Sequence, residues 1–297
     1  MDEFEINLEL YFDNGSGKKK VSLDETAHDE IAMTFFSWSR SQFSDPNAKI
    51  SAYRKFKGVE GEILVLEKVE FPGKVNEWIE GFYSATDPIE FFNSGESDVN
   101  EVRSTTMRFG NDQKFLLGYK RIFPTSFLHH KRQYWIIPDN TTFHPFKNPL
   151  FGVTQGCDVI YYNDRLYCFN YGVLEKFLGF DAVISDKADK SKQKILAQAY
   201  LHPDCDSRLN QKKFDRKLSK IPENAIVFSL PAAKVIAFAA KKFQLKIKDG
   251  KIDLKSESDV KKFLHVMNDE LLKSELTDAE YLAAEKDDYT SAVLPAD

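Results

Sequence analysis

Sixteen lysines and arginines lie between Lys187 and Lys251, against six carboxylates, a local net charge of +10. The rest of the chain is acidic or nearly neutral. Residues 1–100 carry 10 basic and 20 acidic side chains, residues 101–186 carry 10 and 8, and residues 252–297 carry 5 and 12. A basic island in a chain of net charge -5 points to a polyanionic partner rather than to a fold.

Taken as one helix, 208–221 places Phe214, Leu218 and Ile221 on a narrow apolar stripe at about 100° per residue. Arg208, Lys212, Lys213, Arg216, Lys217 and Lys220 share the opposite side, with only Asp215 close by and Leu209 as the exception. Lys187, Lys190, Lys192 and Lys194 form a second cluster upstream, the last three joining the candidate contacts. Like charges crowded on one face repel each other. Phosphates relieve that repulsion through charge-assisted contacts and release their own counterions. Such a face supplies affinity without sequence specificity and does not separate DNA from RNA. The bland alternative is a solvated lysine-rich helix.

Catalytic signals are sparse. Glu62-Ile-Leu-Val-Leu-Glu67-Lys68 puts acids on a strand, as a metal-dependent nuclease needs, but Glu67 and Lys68 are adjacent and point to opposite faces. A charged edge strand explains them as well. Cys157, Cys168, His202 and Cys205 contain a His-x-x-Cys spacing, yet two of the cysteines have ten residues between them across a hairpin, so packed thiols fit better than a zinc site. His129-His130-Lys131-Arg132 reads as a charged loop, and His265 as a surface histidine. Phosphate-loop, dinucleotide-binding and nucleophile-elbow motifs are absent. No catalytic residue, metal or other cofactor is assigned, and the expected role is binding.

The elements that must position these residues form an α+β fold. The alternation of Phe4, Ile6, Leu8, Leu10 and Phe12 with polar neighbours predicts a half-buried strand with an acidic outer face. Ser22 with Glu25 predicts a capping box opening a helix of roughly twenty residues, with Ala27, Ile31, Phe35 and Trp38 inward. Strands are expected at 50–56, 63–69, 99–109, 115–122 and 133–137, with a short helix at 75–84. Asn163-Asp164 and Asp249-Gly250 predict two tight hairpins. Helices are expected at 171–178, 183–200, 207–220, 231–243 and 257–272. The proline-rich stretch 138–149 marks the expected division between a strand-rich lobe, 1–145, and a helix-rich lobe, 150–290. Three sparse cysteines, an acidic start and no long apolar run predict a cytoplasmic protein.

The text Phe263-Leu264-His265-Val266-Met267-Asn268-Asp269-Glu270-Leu271-Leu272-Lys273-Ser274-Glu275-Leu276-Thr277, followed by Tyr281 and Lys286, resembles the terminal motif of the KwaB-like family of the Kiwa anti-phage defence system. Tyr167-Cys168-Phe169-Asn170 followed by Leu174-Glu175-Lys176-Phe177-Leu178-Gly179-Phe180 is similar to the strand-then-helix segment of that family, so the likeness spans roughly 150–290. It implies a DNA-binding protein that self-associates as a homodimer or higher oligomer. It also implies a small membrane partner, KwaA, which holds the protein peripherally at the inner membrane, where the pair impedes phage DNA replication or expression. A metal-dependent nuclease, and an adaptor docking on an acidic protein or membrane surface, are the competing expectations. Read as residues alone, Asn268, Asp269, Ser274 and Thr277 look architectural, with Thr277 and Glu280 fitting a capping box.

Overall fold

Short apolar runs separated by turns build one large sheet in the computed structural model, which describes residues 7–15, 17–83, 89–93, 101–111, 114–123, 127–128, 136–139, 142–145, 150–151, 156–273 and 280–282. The expectations for residues 1–6, 94–98, 129–135, 274–279 and the tail after Tyr289 fall outside this set. The chain forms two compact units, one of residues 1–52 and 56–180, the other of residues 53–55 and 181–297. The architecture is α+β, with strands concentrated in the first unit and helices in the second.

In the first unit, β1 (Leu8–Asp13), β2 (Lys18–Val21), α1 (Glu25–Ser44), β3 (Lys49–Ala52), β4 (Glu62–Glu67) and α2 (Gly73–Tyr83) come first. Then come β5 (Ser104–Gly110) and β6 (Phe115–Arg121). Next, β7 (Phe127–Leu128), β8 (Ile136–Asp139), β9 (Thr142–Pro145) and β10 (Leu150–Phe151) make two small ribbons, β7 with β10 and β8 with β9. Finally β11 (Val159–Tyr162), β12 (Arg165–Cys168) and α3 (Tyr171–Lys176) close the unit. The eight-stranded sheet runs β2-β1-β5-β6-β11-β12-β4-β3, antiparallel throughout except for β3 beside β4.

The expected division at 145–150 therefore gives way to a later one. The β11–β12 hairpin sits between β6 and β4, so a lobe ending at 145 would lose two interior strands. The stretch 138–149 carries the end of β8 and all of β9 rather than a plain linker.

Both faces of the sheet are covered, which explains why all seven residues of β5 are buried. Leu10, Met107, Phe109, Leu116 and Ile160 face α1, where Phe35 stacks on Phe109 with ring centroids 4.6 Å apart. A side chain at Gly118 would sit 2.6 Å from Cys157 Sγ and 3.2 Å from the Phe35 ring, so only glycine lets that helix approach. Tyr11, Thr106, Phe115 and Tyr119 meet α2, with Phe82 edge-on to Tyr11 at 5.1 Å and Trp78 Nε1 donating to Thr106 Oγ1 at 3.0 Å. The first strand is thus not half-exposed: Glu9 accepts from Arg108 at 2.7 Å and from Tyr11 at 2.9 Å, and also pairs with Lys20. The α1 helix opens at Asp24, whose carboxylate accepts from the Ala27 amide at 2.7 Å, rather than at Ser22.

The second unit contains α4 (Phe180–Ala197), α5 (Asp206–Leu209), α6 (Asp215–Leu218), α7 (Ala232–Phe243), β13 (Lys246–Lys248), β14 (Lys251–Asp253), α8 (Glu257–Met267), β15 (Leu271–Lys273) and β16 (Glu280–Leu282). Its core gathers Ile195, Tyr200, Leu218, Ala239, Ile252 and Phe263. The Tyr200 hydroxyl donates to the Val227 carbonyl at 2.9 Å, which satisfies its one buried polar atom. Both expected hairpin turns hold, with left-handed φ at Asn163 and Asp164 and at Asp249 and Gly250.

One buried carboxylate ties the first unit together. Asp158 accepts from Lys120 Nζ at 3.2 Å, the Arg121 amide at 2.8 Å and Asn170 Nδ2 at 3.0 Å, linking β6, β11 and the start of α3. Asp158→Ala leaves these donors without their acceptor and is expected to cost about 3 kcal/mol. All three tryptophans fall within 1–180, so urea unfolding followed by tryptophan fluorescence reports this unit; an unchanged midpoint would contradict the role given to Asp158.

Candidate nucleic-acid interface

The basic segment folds around its own carboxylates and carbonyls. On α4 the buried stripe comprises Ile184, Ala188, Ser191, Lys192 and Ile195. Lys192 is four residues beyond Ala188 and so lands inside. Its ammonium pairs with Asp215 at 2.9 Å and Asp189 at 3.1 Å, and both Lys192 and Asp215 are only 8% exposed. Burial disfavours the charged form of Lys192, but the two carboxylates outweigh it and hold the ammonium above the usual lysine value. Lys192 is therefore a buried, paired structural cation rather than one at the surface. Continuing the apolar spacing Ile184–Ala188 by one turn in the sequence would have shown this.

Lys190 and Lys194 lie on the outer side of α4. Lys190 pairs with Asp186 at 2.8 Å, and Lys194 donates to the Glu223 carbonyl at 2.7 Å. With Gln193, Ala197 and Glu223 they line an open cleft of about 460 Å³.

The single helix expected over 208–221 is broken. A short α5 ends at Leu209, Gln211 is extended with ψ 124°, residues 212–214 form a 3-10 turn, and α6 follows. The cause is Leu209. One continuous helix would strand it among the cations, whereas the break turns it into the core, where Leu209, Phe214, Leu218 and Ile221 are all buried.

The break also disperses the expected cationic face. Arg208 donates to the Lys255 carbonyl, Lys213 pairs with Glu257, and Lys217 Nζ lies 3.5 Å from His265 Nε2. The Lys187 and Lys220 ammonium groups stand 5.5 and 5.8 Å from the Tyr53 ring centre, and the Tyr53 hydroxyl is 2.8 Å from Ser219 Oγ. Lys212 and Arg216 remain exposed. The lysines that sequence reasoning counted but did not single out, Lys234, Lys241 and Lys246, are also exposed, and no ion pair engages them among the described residues.

The C-terminal motif braces this region. His265 Nδ1 meets Glu270 and its ring stacks parallel to Phe243, so it is a partly enclosed group rather than a plain surface histidine. Asn268 Nδ2 donates to the Leu264 carbonyl at 3.0 Å and lies 3.4 Å from the Lys217 carbonyl, while Asp269 adopts a left-handed φ of 52° where α8 turns into β15. Ser274 and Thr277 lie outside the described residues.

The catalytic alternatives find other roles. Glu62 is buried and accepts from the Lys57 and Gly58 amides, both at 2.8 Å. Burial raises its pKa, but those amides and Ser51 together hold it below the usual carboxylate value. Glu67 pairs with Arg165, and Lys68 with Asp164. The Cys157 and Cys168 thiols are buried in the first unit, and burial raises both; Cys205 is buried in the second, its Sγ accepting from the Leu254 amide at 3.1 Å. Among the described residues no group of three or more His, Cys, Asp or Glu is arranged to hold a metal, and no helix is long and apolar enough to cross a membrane.

The family model of Kiwa protein KwaB-like sequences matches residues 100–277, more than half of the 297-residue chain. The chain belongs to the KwaB-like family. That makes it a component of the Kiwa type of antiviral defence. The match reaches back about fifty residues beyond the likeness visible in the text, taking in β5 and β6 as well as the basic segment and α8. No curated protein and no solved structure matches the chain.

The geometry separates a structural cation from a surface one. Lys192→Ala leaves Asp215 buried without its partner and is expected to cost about 3 kcal/mol, whereas Lys212→Ala changes stability by less than about 0.5 kcal/mol. Hydrogen exchange of the α4 and α6 amides measures both. Because the folded-state value of Lys192 is raised, its contribution is present below the unfolded lysine value of about 10.4 and is lost as pH rises through the folded one. The stability gap between wild type and Lys192→Met should therefore narrow above about pH 10.4.

Proposed function

We propose that this KwaB-like chain is the DNA-binding component of a Kiwa defence pair. It acts with the membrane protein KwaA to impede phage DNA replication or expression. On this reading it is cytoplasmic, self-associated and held at the inner membrane through that partner, and it works by binding without a catalytic step. The supporting observation is the excess of ten cations over four carboxylates in 187–220, all within one unit, with Lys190, Lys194, Lys212 and Arg216 at its surface. Phosphates can compete for the ammonium of Lys190 because its pair with Asp186 is solvent-exposed and therefore weak.

The affinity for double-stranded DNA should fall steeply with salt, with a slope of about -0.9 in the logarithmic plot for each phosphate engaged. Lys212→Glu with Arg216→Glu should weaken binding to unrelated sequences alike and flatten the slope by about two contacts. DNA incubated with the chain and Mg²⁺ should stay intact. Salt-independent or absent binding defeats the reading, and cleavage of the DNA would replace it with a nuclease.

A further inference from the structure

We infer that the outer face of α7 is a docking surface for an anionic lipid bilayer, distinct from and independent of the nucleic-acid reading above. Val235, Ala239 and Phe243 are the inward face of this helix, buried at four-residue intervals. The opposite side presents Ala233, Lys234, Ala237, Phe238 and Lys241, all exposed, with Lys242 at its margin. The helix contains no Asp or Glu anywhere between Ala232 and Phe243. Its C-cap, Gln244, has a left-handed φ of 57° and turns the chain straight into β13, where Lys246 is exposed. Ile247 follows at 43% exposure, at the core margin beside its cross-strand partner Ile252.

Two properties set this face apart from the cations of α4 to α6. The first is availability. Lys234, Lys241 and Lys246 form no ion pair among the described residues, as Lys212 forms none, whereas Lys190, Lys192, Lys194, Lys213 and Lys217 each engage a carboxylate, a carbonyl or a histidine. The second is the aromatic group between the charges. Phe238 is 38% exposed and stands four residues after Lys234 and three before Lys241, so the three share one side of the helix. Duplex phosphates reward the lysines but not an exposed phenyl ring flanked by alanines. An anionic leaflet rewards both: ammonium groups reach the headgroups while Phe238 and the alanines enter the boundary with the acyl chains. Each lysine close to such a surface strengthens partitioning about fivefold.

Co-sedimentation of the full chain with phosphatidylcholine vesicles, with and without phosphatidylserine, tests this directly. Binding is expected only with phosphatidylserine. Lys234→Ala with Lys241→Ala should weaken it about 25-fold, and Phe238→Ser about tenfold, while Lys190→Glu with Lys194→Glu on α4 leaves it unchanged. The lysine substitutions are at exposed positions, so they keep the test decisive should Phe238→Ser disturb folding. The DNA affinity of the α7 variants, measured in parallel, should stay at the wild-type level. The inference is overturned by absent vesicle binding, by binding that ignores phosphatidylserine or the α7 lysines, or by α7 variants that lose DNA instead of vesicles.

Discussion

The pair between Lys192 and Asp215, with Asp189 beside it, is the constraint on which the basic unit depends. A lysine four residues beyond Ala188 must lie on the inner side of α4, and an ammonium there is stable only with a carboxylate brought to it. Asp215 is that carboxylate, and it begins α6. Meeting this demand holds α6 against α4. Leu209 and Phe214 then reach the same core only across an interruption at Asn210 and Gln211. One buried charge pair and one buried leucine together explain why a stretch that reads as a uniform cationic helix is instead two short helices joined by a turn.

The sheet of the first unit obeys a comparable rule. Helices cover both of its faces, so β1 and β5 bury both of their sides, and the charges that fall there are neutralised in place by the cluster of Glu9, Arg108, Lys20 and Tyr11. The part matched by the KwaB-like family supplies its centre, β5-β6-β11-β12, while the preceding residues add β2-β1 at one end and β4-β3 at the other. The acidic N-terminal segment is thus interleaved with the family segment rather than appended to it.

The cations of the second unit fall into two groups with different physics. Those on α4 to α6 are largely engaged by the chain itself, by Asp186, Asp215, Glu257 and backbone carbonyls. Lys234 and Lys241 on α7 instead stand beside the exposed Phe238, with no acid on the helix. A charge total over a segment adds the two groups together. A ligand meets only the surface each one presents.

Local rules already identified many parts of this molecule in the sequence. Two-residue turns at Asn163-Asp164 and Asp249-Gly250 tolerate left-handed backbone, so both hairpins and their registers were legible. The helix expected over 231–243 is found at 232–243, and the buried identity of Phe214, Leu218 and Ile221 followed from their spacing. The KwaB-like text of α8 was legible because it is contiguous. What only the tertiary structure decided involves partners distant in sequence: that Lys192 meets Asp215, that Lys213 meets Glu257, that β11 and β12 complete a sheet begun at Leu8, and that Lys234 and Lys241 of α7 meet no carboxylate among the described residues. The reason is physical. A turn or a stripe is a property of adjacent residues, whereas the availability of a charge depends on which carboxylate the folded chain brings within about 4 Å of it.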